Sequence, residues 1–251
     1  ALLKEEGARV TVADSGDTPA LREKASRLER LGIRTLLGAE ADTDPQHYDL
    51  CVLSPGIDPI VPLVQNVLAK KIPVIGELEL AYQECTCPCV AITGTNGKTT
   101  TTELTTQMLQ RCGVRTMASG NIGLPFATAV RQSHELDVMV LETSSFQLET
   151  IRHFRPHVAV WLNLSANHLD RYRDIEEYRT AKLRIFEQQT ADDFAVVNAR
   201  DELPPLKARK LTFSAYTPDA DFTLQGSTIL FRGTPIIDQS ETRLHGIHNA
   251  E

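Results

Sequence analysis

The run Gly94-Thr95-Asn96-Gly97-Lys98-Thr99 puts two glycines, an amine and a threonine hydroxyl into one short turn. The apolar stretch CVAIT precedes it, and the helical stretch KTTTTELTTQMLQRCG follows at once. Glycines let backbone N–H groups approach phosphate oxygens, and a helix start adds positive potential. In that setting Lys98 would reach the β and γ phosphates of a nucleotide, and the Thr99 hydroxyl would ligate Mg²⁺. The usual pattern wants a glycine five positions before Gly97, where Ile92 stands, so this is a shortened variant. The competing reading is a plain strand–turn–helix connection with a lysine at the helix start.

Mg²⁺ takes oxygen ligands, typically including a carboxylate at the end of a neighbouring strand. In LDVMVLETSSFQLE, Glu142 closes an apolar strand, near the edge where parallel sheets bind ligands. The bland alternative is a strand-end glutamate facing solvent. A second apolar strand, in VAVWLNLSANHLDRY, runs into a polar turn holding Asn167, His168, Asp170 and Arg171. A lone histidine there would more often cap a helix or sit on the surface. Two polar strand ends following one phosphate loop favour a shared site.

Lys182 stands apart. The helix expected over 176–188 has Ile175, Tyr178, Ile185 and Phe186 at helical spacing. Lys182 lies four residues after Tyr178 and four before Phe186, on the apolar face. Burial disfavours a charged amine, and a neutral amine can react with CO₂ to give an anionic carbamate suited to a hard metal. The other reading is a stem that covers apolar surface while the ammonium reaches water. Periodicity by itself favours that one.

The elements that would hold these groups alternate between strand and helix. The chain opens in ALLKEEGARVTVADS, which reads as a helix end, a glycine stop and a strand over 10–13. That is the second half of a βαβ unit whose first strand and glycine-rich turn would come before it. Further strands are expected in YDLCVLSPGID and IPVIGELELA, with helices over 19–31 and 62–70. A break near QECTCP leads into the phosphate loop. Strands follow in LDVMVLE, PHVAVWLNL, DFAVVNA and RKLTFSA, with short β structure over 219–243. Such alternation implies α/β architecture with a mainly parallel, doubly wound sheet.

The 251 residues suit two domains, and 41% hydrophobic with 24% charged content suits a soluble globular chain. A net charge of -7 argues against a broad nucleic-acid footprint. No run reaches the ~20 apolar residues of a membrane helix, and no signal peptide opens the chain. The odd set of Cys51, Cys85, Cys87, Cys89 and Cys112 suits a reducing compartment. CTCPC lacks a second ligand pair nearby, so it reads as linker and not as a metal site.

Together these strings resemble the Mur ligase family, ATP-dependent amide ligases of peptidoglycan assembly. GTNGKTT is similar to the family's ATP loop, which makes Gly94, Thr95, Asn96, Gly97, Lys98, Thr99 and Thr100 nucleotide contacts. NHLDR followed by YRTAKLRIF resembles its DHxDR…K segment, whose lysine is carbamylated and helps organise a second Mg²⁺. GNIGLP over 120–125 and ETSSFQLE over 142–149 resemble the branch that adds D-glutamate to UDP-N-acetylmuramoyl-L-alanine, with SSFQLE the discriminating string. SPGI over 54–57 and the strand-end Asp14 resemble a uridine-nucleotide pocket. GIHNAE resembles GxHNxxN, which places Asn249 near the adenine.

The resemblance implies a catalytic set of Lys98, Glu142, His168 and carbamylated Lys182. Metal ligands would be Thr99 and Glu142 for one Mg²⁺, His168 and Lys182 for another. Substrate contacts would be Asp14, Ser15, Ser54, Pro55, Gly56, Asn121, Ser144 and Gln147. It implies an incomplete Rossmann-like UDP-substrate domain over 1–87 that lacks its first strand, and a P-loop-type central ATPase domain over 88–243. Residues 244–251 would begin a linker to an absent C-terminal Rossmann-like domain. A fragment of this kind is expected to be inactive alone. The partners implied are UDP-N-acetylmuramoyl-L-alanine and D-glutamate, with no nucleic acid and no membrane insertion, in a cytoplasmic monomer. Asn167 departs from the family's aspartate and removes one negative charge beside the metal site. Three alternatives stay open: another Mur-type or folylpolyglutamate-type ligase, a P-loop ATPase or kinase without ligase chemistry, and a non-catalytic UDP-sugar module.

Overall fold

Residues 2–44, 46–58, 60–166 and 171–241 are described by the structure, a computed structural model. The chain divides into two compact units, Ala1–Glu77 and Leu78–Glu251. The sequence reading draws its domain boundary later, after Cys87.

The first unit carries α1 (Leu2–Glu5), β1 (Thr11–Asp14), α2 (Pro19–Arg30), β2 (Arg34–Leu37), α3 (Ala39–Thr43), β3 (Cys51–Leu53), α4 (Pro62–Ala69) and β4 (Val74–Gly76). Helix α2 begins where the sequence says it should. Thr18 accepts a hydrogen bond from the Leu21 N–H at 3.2 Å, and Pro19, which has no N–H to satisfy, takes the first helical position. β1 pairs in parallel with β2, and β3 with β4. Asp14 ends β1, and its carboxylate accepts from the Gly16 N–H at 2.8 Å, closing a turn.

Helix α5 (Glu77–Gln83) occupies much of the stretch expected to be a strand in IPVIGELELA, of which only β4 is extended. Tertiary burial decides this. Leu78 and Ala81 are fully buried, as is Glu79, whose carboxylate accepts from the backbone N–H groups of Arg152, His153 and Phe154 at 2.8–3.0 Å. Burial pushes the Glu79 carboxyl up, but these N–H groups and Gln83 outweigh it and hold the group below its ordinary value.

The second unit continues with β5 (Cys89–Thr93), α6 (Lys98–Arg111), β6 (Thr116–Gly120), α7 (Phe126–Ala129), β7 (Val138–Glu142), α8 (Ser145–Leu148), β8 (Val158–Trp161), α9 (Ile175–Leu183), β9 (Phe194–Asn198), β10 (Arg209–Ser214), β11 (Phe222–Gln225), β12 (Thr228–Phe231) and β13 (Thr234–Asp238). Among the described residues the strands form a nine-stranded sheet in the order β13-β12-β11-β10-β9-β8-β5-β7-β6. β5 to β11 are parallel, and β12 and β13 turn back antiparallel at one edge. Ala91, Ile92, Val140, Leu141, Ala159 and Trp161 are fully buried, as central parallel strands with both faces covered require. The chain leaves β5 toward β6 on one side and later returns to β8 on the other. The C-terminal end of β5 is therefore a topological switch point, where open α/β sheets bind ligands.

α6 is rich in threonine, a weak helix former. Tertiary burial of Thr102 and Thr106 holds it helical, and two hydroxyls are satisfied within the helix, Thr101 donating to the Gly97 carbonyl at 2.9 Å and Thr106 to that of Thr102 at 2.8 Å. α9 ends at Leu183, short of the expected 188, and a 3₁₀ turn, Arg184–Phe186, follows. Ile185 and Phe186 are adjacent and both buried, and Arg184 donates to the carbonyls of Glu149 and Ile151, which favours the tighter turn. Ile175, expected on the apolar face, opens α9 and is 38% exposed.

Candidate active site

β5 delivers the phosphate loop, and two reciprocal hydroxyl bonds fix it against β7 beyond the ladder. Thr93 donates to the Thr143 carbonyl at 3.0 Å, and Thr143 donates to the Ile92 carbonyl at 3.1 Å. Gly94 follows, with φ +158°; a Cβ there would lie 2.9 Å from the Leu162 side chain, so the close approach of the β8 end requires glycine. The backbone N–H groups of Thr95 and Asn96 both point at one acceptor, the Asn163 side-chain oxygen, at 3.1 and 2.9 Å. Two successive amides aimed at one point are the arrangement an anion uses. Gly97, in the left-handed conformation, caps α6 without a side-chain bond to the first helical N–H groups.

At the loop's end, Thr99 donates to Glu142 Oε2 at 2.8 Å. Asn121 donates from its side chain to Oε1 at 2.8 Å and from its backbone to the Glu142 carbonyl at 2.9 Å. Glu142 is only 3% exposed. Gly120 makes this packing feasible, since a Cβ there would come within 2.4 Å of the Glu142 carbonyl oxygen. Lys98 folds back on the loop, donating to the carbonyls of Gly94 at 3.1 Å and Thr95 at 3.0 Å. Burial lowers its pKa, and the Glu142 charge works in the opposite direction.

Lys182 reaches the same carbonyl. It is 1% exposed, and its amine donates to Gly94 O at 2.8 Å while lying 4.6 Å from the centre of the Tyr178 ring. The snorkelling alternative is thereby removed. Two lysine amines now converge on one oxygen. Burial first, then the Lys98 charge, bring the Lys182 pKa down to about 7.

Lys98, Thr99, Glu142, Asn121 and Lys182 thus surround the Gly94–Thr99 turn. Thr100, in the first turn of α6, is exposed. Ser144 and Gln147 are engaged with each other in the capping box of α8: the Gln147 N–H donates to Ser144 Oγ at 3.3 Å, and the Ser144 N–H to the Gln147 side chain at 3.0 Å. In the first unit Asp14 and Ser15 are exposed at the end of β1, and Ser54, Pro55 and Gly56 are exposed after β3. Asn167, His168, Asp170 and Asn249 lie outside the described residues.

Asn163 is the site residue that sequence reasoning missed. Its signal was a polar side chain two residues beyond the buried Trp161 that ends β8. Asn163→Ala is expected to speed hydrogen exchange at the Asn96 amide by up to about tenfold, the worth of one hydrogen bond; exchange measured by NMR checks this, and unchanged protection would show that other contacts hold the loop.

Residues 92–251 match the Mur ligase middle domain. The chain is 44% identical to the UDP-N-acetylmuramoylalanine–D-glutamate ligase of Trichlorobacter lovleyi over 99% of its length, and 38% identical to that of Alkaliphilus oremlandii over 100%. It spans 58% of the length of each. Among solved structures it is similar to the UDP-N-acetylmuramate:L-alanyl-γ-D-glutamyl-meso-diaminopimelate ligase of Neisseria meningitides. The TM-score is 0.61 at 21% identity, covering 99% of this chain and 84% of that one, which is a likeness of fold.

Proposed function

The chain belongs to the Mur ligase family, and from that premise we propose that the whole protein joins D-glutamate to UDP-N-acetylmuramoyl-L-alanine at the expense of ATP. In this reading the alanyl carboxylate attacks the γ-phosphate, giving an acyl phosphate. The amine of D-glutamate then attacks the acyl carbon and releases phosphate. The observation that carries the ATP-dependent part of the reading is the 2.8 Å bond between Thr99 and Glu142 at the mouth of the phosphate loop, and the two substrates are those in the name of the 44% identical relative.

The first step brings a carboxylate to a polyanion, so the site must offset charge repulsion. The Thr95 and Asn96 amides would exchange the Asn163 oxygen for phosphate oxygens, and Lys98 would swing from the loop carbonyls onto the β and γ phosphates. The residues suit Mg²⁺: Glu142 is a buried carboxylate whose hydrogen bonds come from the uncharged donors Thr99 and Asn121. Thr99 and Glu142 would hold the ion, which when bound neutralises phosphate charge and polarises the phosphoryl group. The buried amine of Lys182 is suited to carbamylation, which would convert a cation facing Lys98 into an anion. His168 belongs to the same proposed set. In the first unit, Asp14, Ser15 and the Ser54–Gly56 turn would contact the uridine nucleotide, and Asn121, Ser144 and Gln147 the muramoyl end. A reaction drawing on ATP and UDP-linked precursors belongs in the cytoplasm, and among the described residues no helix is long and apolar enough to cross a membrane.

The test is phosphate release by the full-length protein with ATP and Mg²⁺. Turnover is expected only when UDP-N-acetylmuramoyl-L-alanine and D-glutamate are both present, with the amide product identified by mass. ATP hydrolysis indifferent to the muramoyl substrate would favour a P-loop ATPase instead.

A further inference from the structure

The run Cys85-Thr86-Cys87-Pro88-Cys89 takes no part in the phosphate site, yet its sulfurs are gathered. Cys85 Sγ lies 3.9 Å from Cys87 Sγ and 3.8 Å from Cys89 Sγ. The Cys87 carbonyl oxygen lies 3.4 Å from Cys85 Sγ and 3.9 Å from Cys89 Sγ, so those two sulfurs turn to the same side of the connection. Ser133 Oγ holds the intervening residue: it accepts from the Thr86 N–H at 3.2 Å and lies 3.1 Å from the Thr86 hydroxyl. Cys85 and Cys87 are partly exposed, whereas Cys89 is 1% exposed. Among the described residues no group of His, Cys, Asp or Glu is arranged to hold a metal ion.

We propose that Cys85 and Cys89 form a reversible dithiol–disulfide site whose oxidant is a low-molecular-weight disulfide of the glutathione type. The accessible Cys85 is the attacking group. Its thiolate attacks one sulfur of R–S–S–R; that S–S bond breaks, Cys85 joins one R–S group, and the other departs as thiolate and takes up a proton. Cys89 then loses its proton, its sulfur attacks the Cys85 sulfur, and the second R–S group departs and is protonated. Two protein thiols are oxidised by two electrons to one disulfide, and R–S–S–R is reduced to two R–SH.

The local electrostatics order these events. The hydrogen bond from Cys89 is the main reason the Cys85 thiol is brought down to about 6, so it is ionised at neutral pH. The same bond, then burial and the Cys85 charge, push Cys89 well above the ordinary thiol range. Burial and the Cys85 charge push Cys87 up to about 12. Once Cys85 is in a mixed disulfide its charge is gone, and Cys89 can ionise and close the bond. In a reducing compartment the dithiol is the resting form, and closure follows a rise in oxidised small thiols. The disulfide would tie the connection after α5 to the first residue of β5, the strand that ends in the phosphate loop.

The unmutated protein tests this. It is incubated with glutathione disulfide at neutral pH, acid-quenched, alkylated with N-ethylmaleimide and digested without reduction. The peptide spanning 85–89 is expected to lack two hydrogens and to carry its maleimide on Cys87 alone, whereas dithiothreitol added before the quench is expected to restore the dithiol, so that all three cysteines take up maleimide. Cys89→Ser is expected to accumulate a glutathione adduct on Cys85 that does not resolve. Alkylation of all three cysteines after the incubation, a disulfide that includes Cys87, or glutathione confined to the exposed Cys112 would each overturn the proposal.

Discussion

Lys182→Met in the full-length protein is expected to lower acyl-phosphate formation by about a hundredfold or more, the scale seen when one preorganised transition-state contact is removed. Methionine keeps an unbranched stem of similar bulk in the buried space against Tyr178, so α9 should fold as before. What is lost is the amine, its 2.8 Å bond to the Gly94 carbonyl and any carbamate built on it. Hydroxylamine trapping of the acyl phosphate reads the step directly. Lys182→Ala leaves room beside the loop, and short carboxylates such as acetate or formate are expected to restore part of the activity by supplying the missing anion. Unchanged turnover in both variants would sink the carbamate role.

The same lysine carries a pH signature. Only the neutral amine reacts with CO₂. With the group held near 7, the neutral fraction falls about tenfold for each pH unit below that value and levels off above it. A carbamate signal from ¹³C-bicarbonate is therefore expected to grow as pH rises through about 7 and to be absent in Lys182→Met. An ordinary surface lysine, titrating near 10.4, would load little at neutral pH. A signal unaffected by Lys182→Met would assign the carbamate elsewhere.

Features whose chemistry is local in sequence were readable before the structure. The Gly94–Thr99 turn sits between an apolar strand and a helix, and the inward face of Lys182 follows from its spacing to Tyr178 and Phe186. Features that depend on distant partners were not. Asn163 binds a loop 67 residues earlier, and a polar residue just past a buried strand does not say which backbone it accepts from. Glu79 looks like the polar half of a strand alternation. Only the N–H groups of Arg152, His153 and Phe154, 73 to 75 residues later, explain a buried carboxylate on a helix. Ser144 and Gln147 show a different limit. Ser-x-x-Gln before an apolar residue is a helix-start spelling, and resemblance drew attention to substrate contacts while the local bonding went unread. Both roles are compatible in principle, since a cap also fixes where Ser144 and Gln147 stand.

Glu142→Ala is expected to cut Mg²⁺-dependent ATP use by the full-length protein by about 100-fold to 1,000-fold, on the scale of losing an electrostatic contact to the transferring group. Two effects act together. The carboxylate that Thr99 and Asn121 orient is gone, so the site loses a buried negative oxygen pair at the loop. Lys98 also loses the charge that opposes its desolvation, and its pKa falls further below the ordinary lysine value. A protonated Lys98 is needed to meet the phosphates, and it is present only below that pKa. The alkaline limb of the residual activity should therefore move to lower pH. Glu142→Gln separates the effects of shape and charge: it keeps one acceptor for Thr99 but restores neither the metal affinity nor the support of Lys98, so the alkaline limb should shift as in the alanine variant. A Mg²⁺ titration combined with a pH profile reads both. Normal turnover at every Mg²⁺ concentration would remove Glu142 from the site, whereas a higher Mg²⁺ requirement with an unmoved alkaline limb would keep it as ligand and break its link to Lys98.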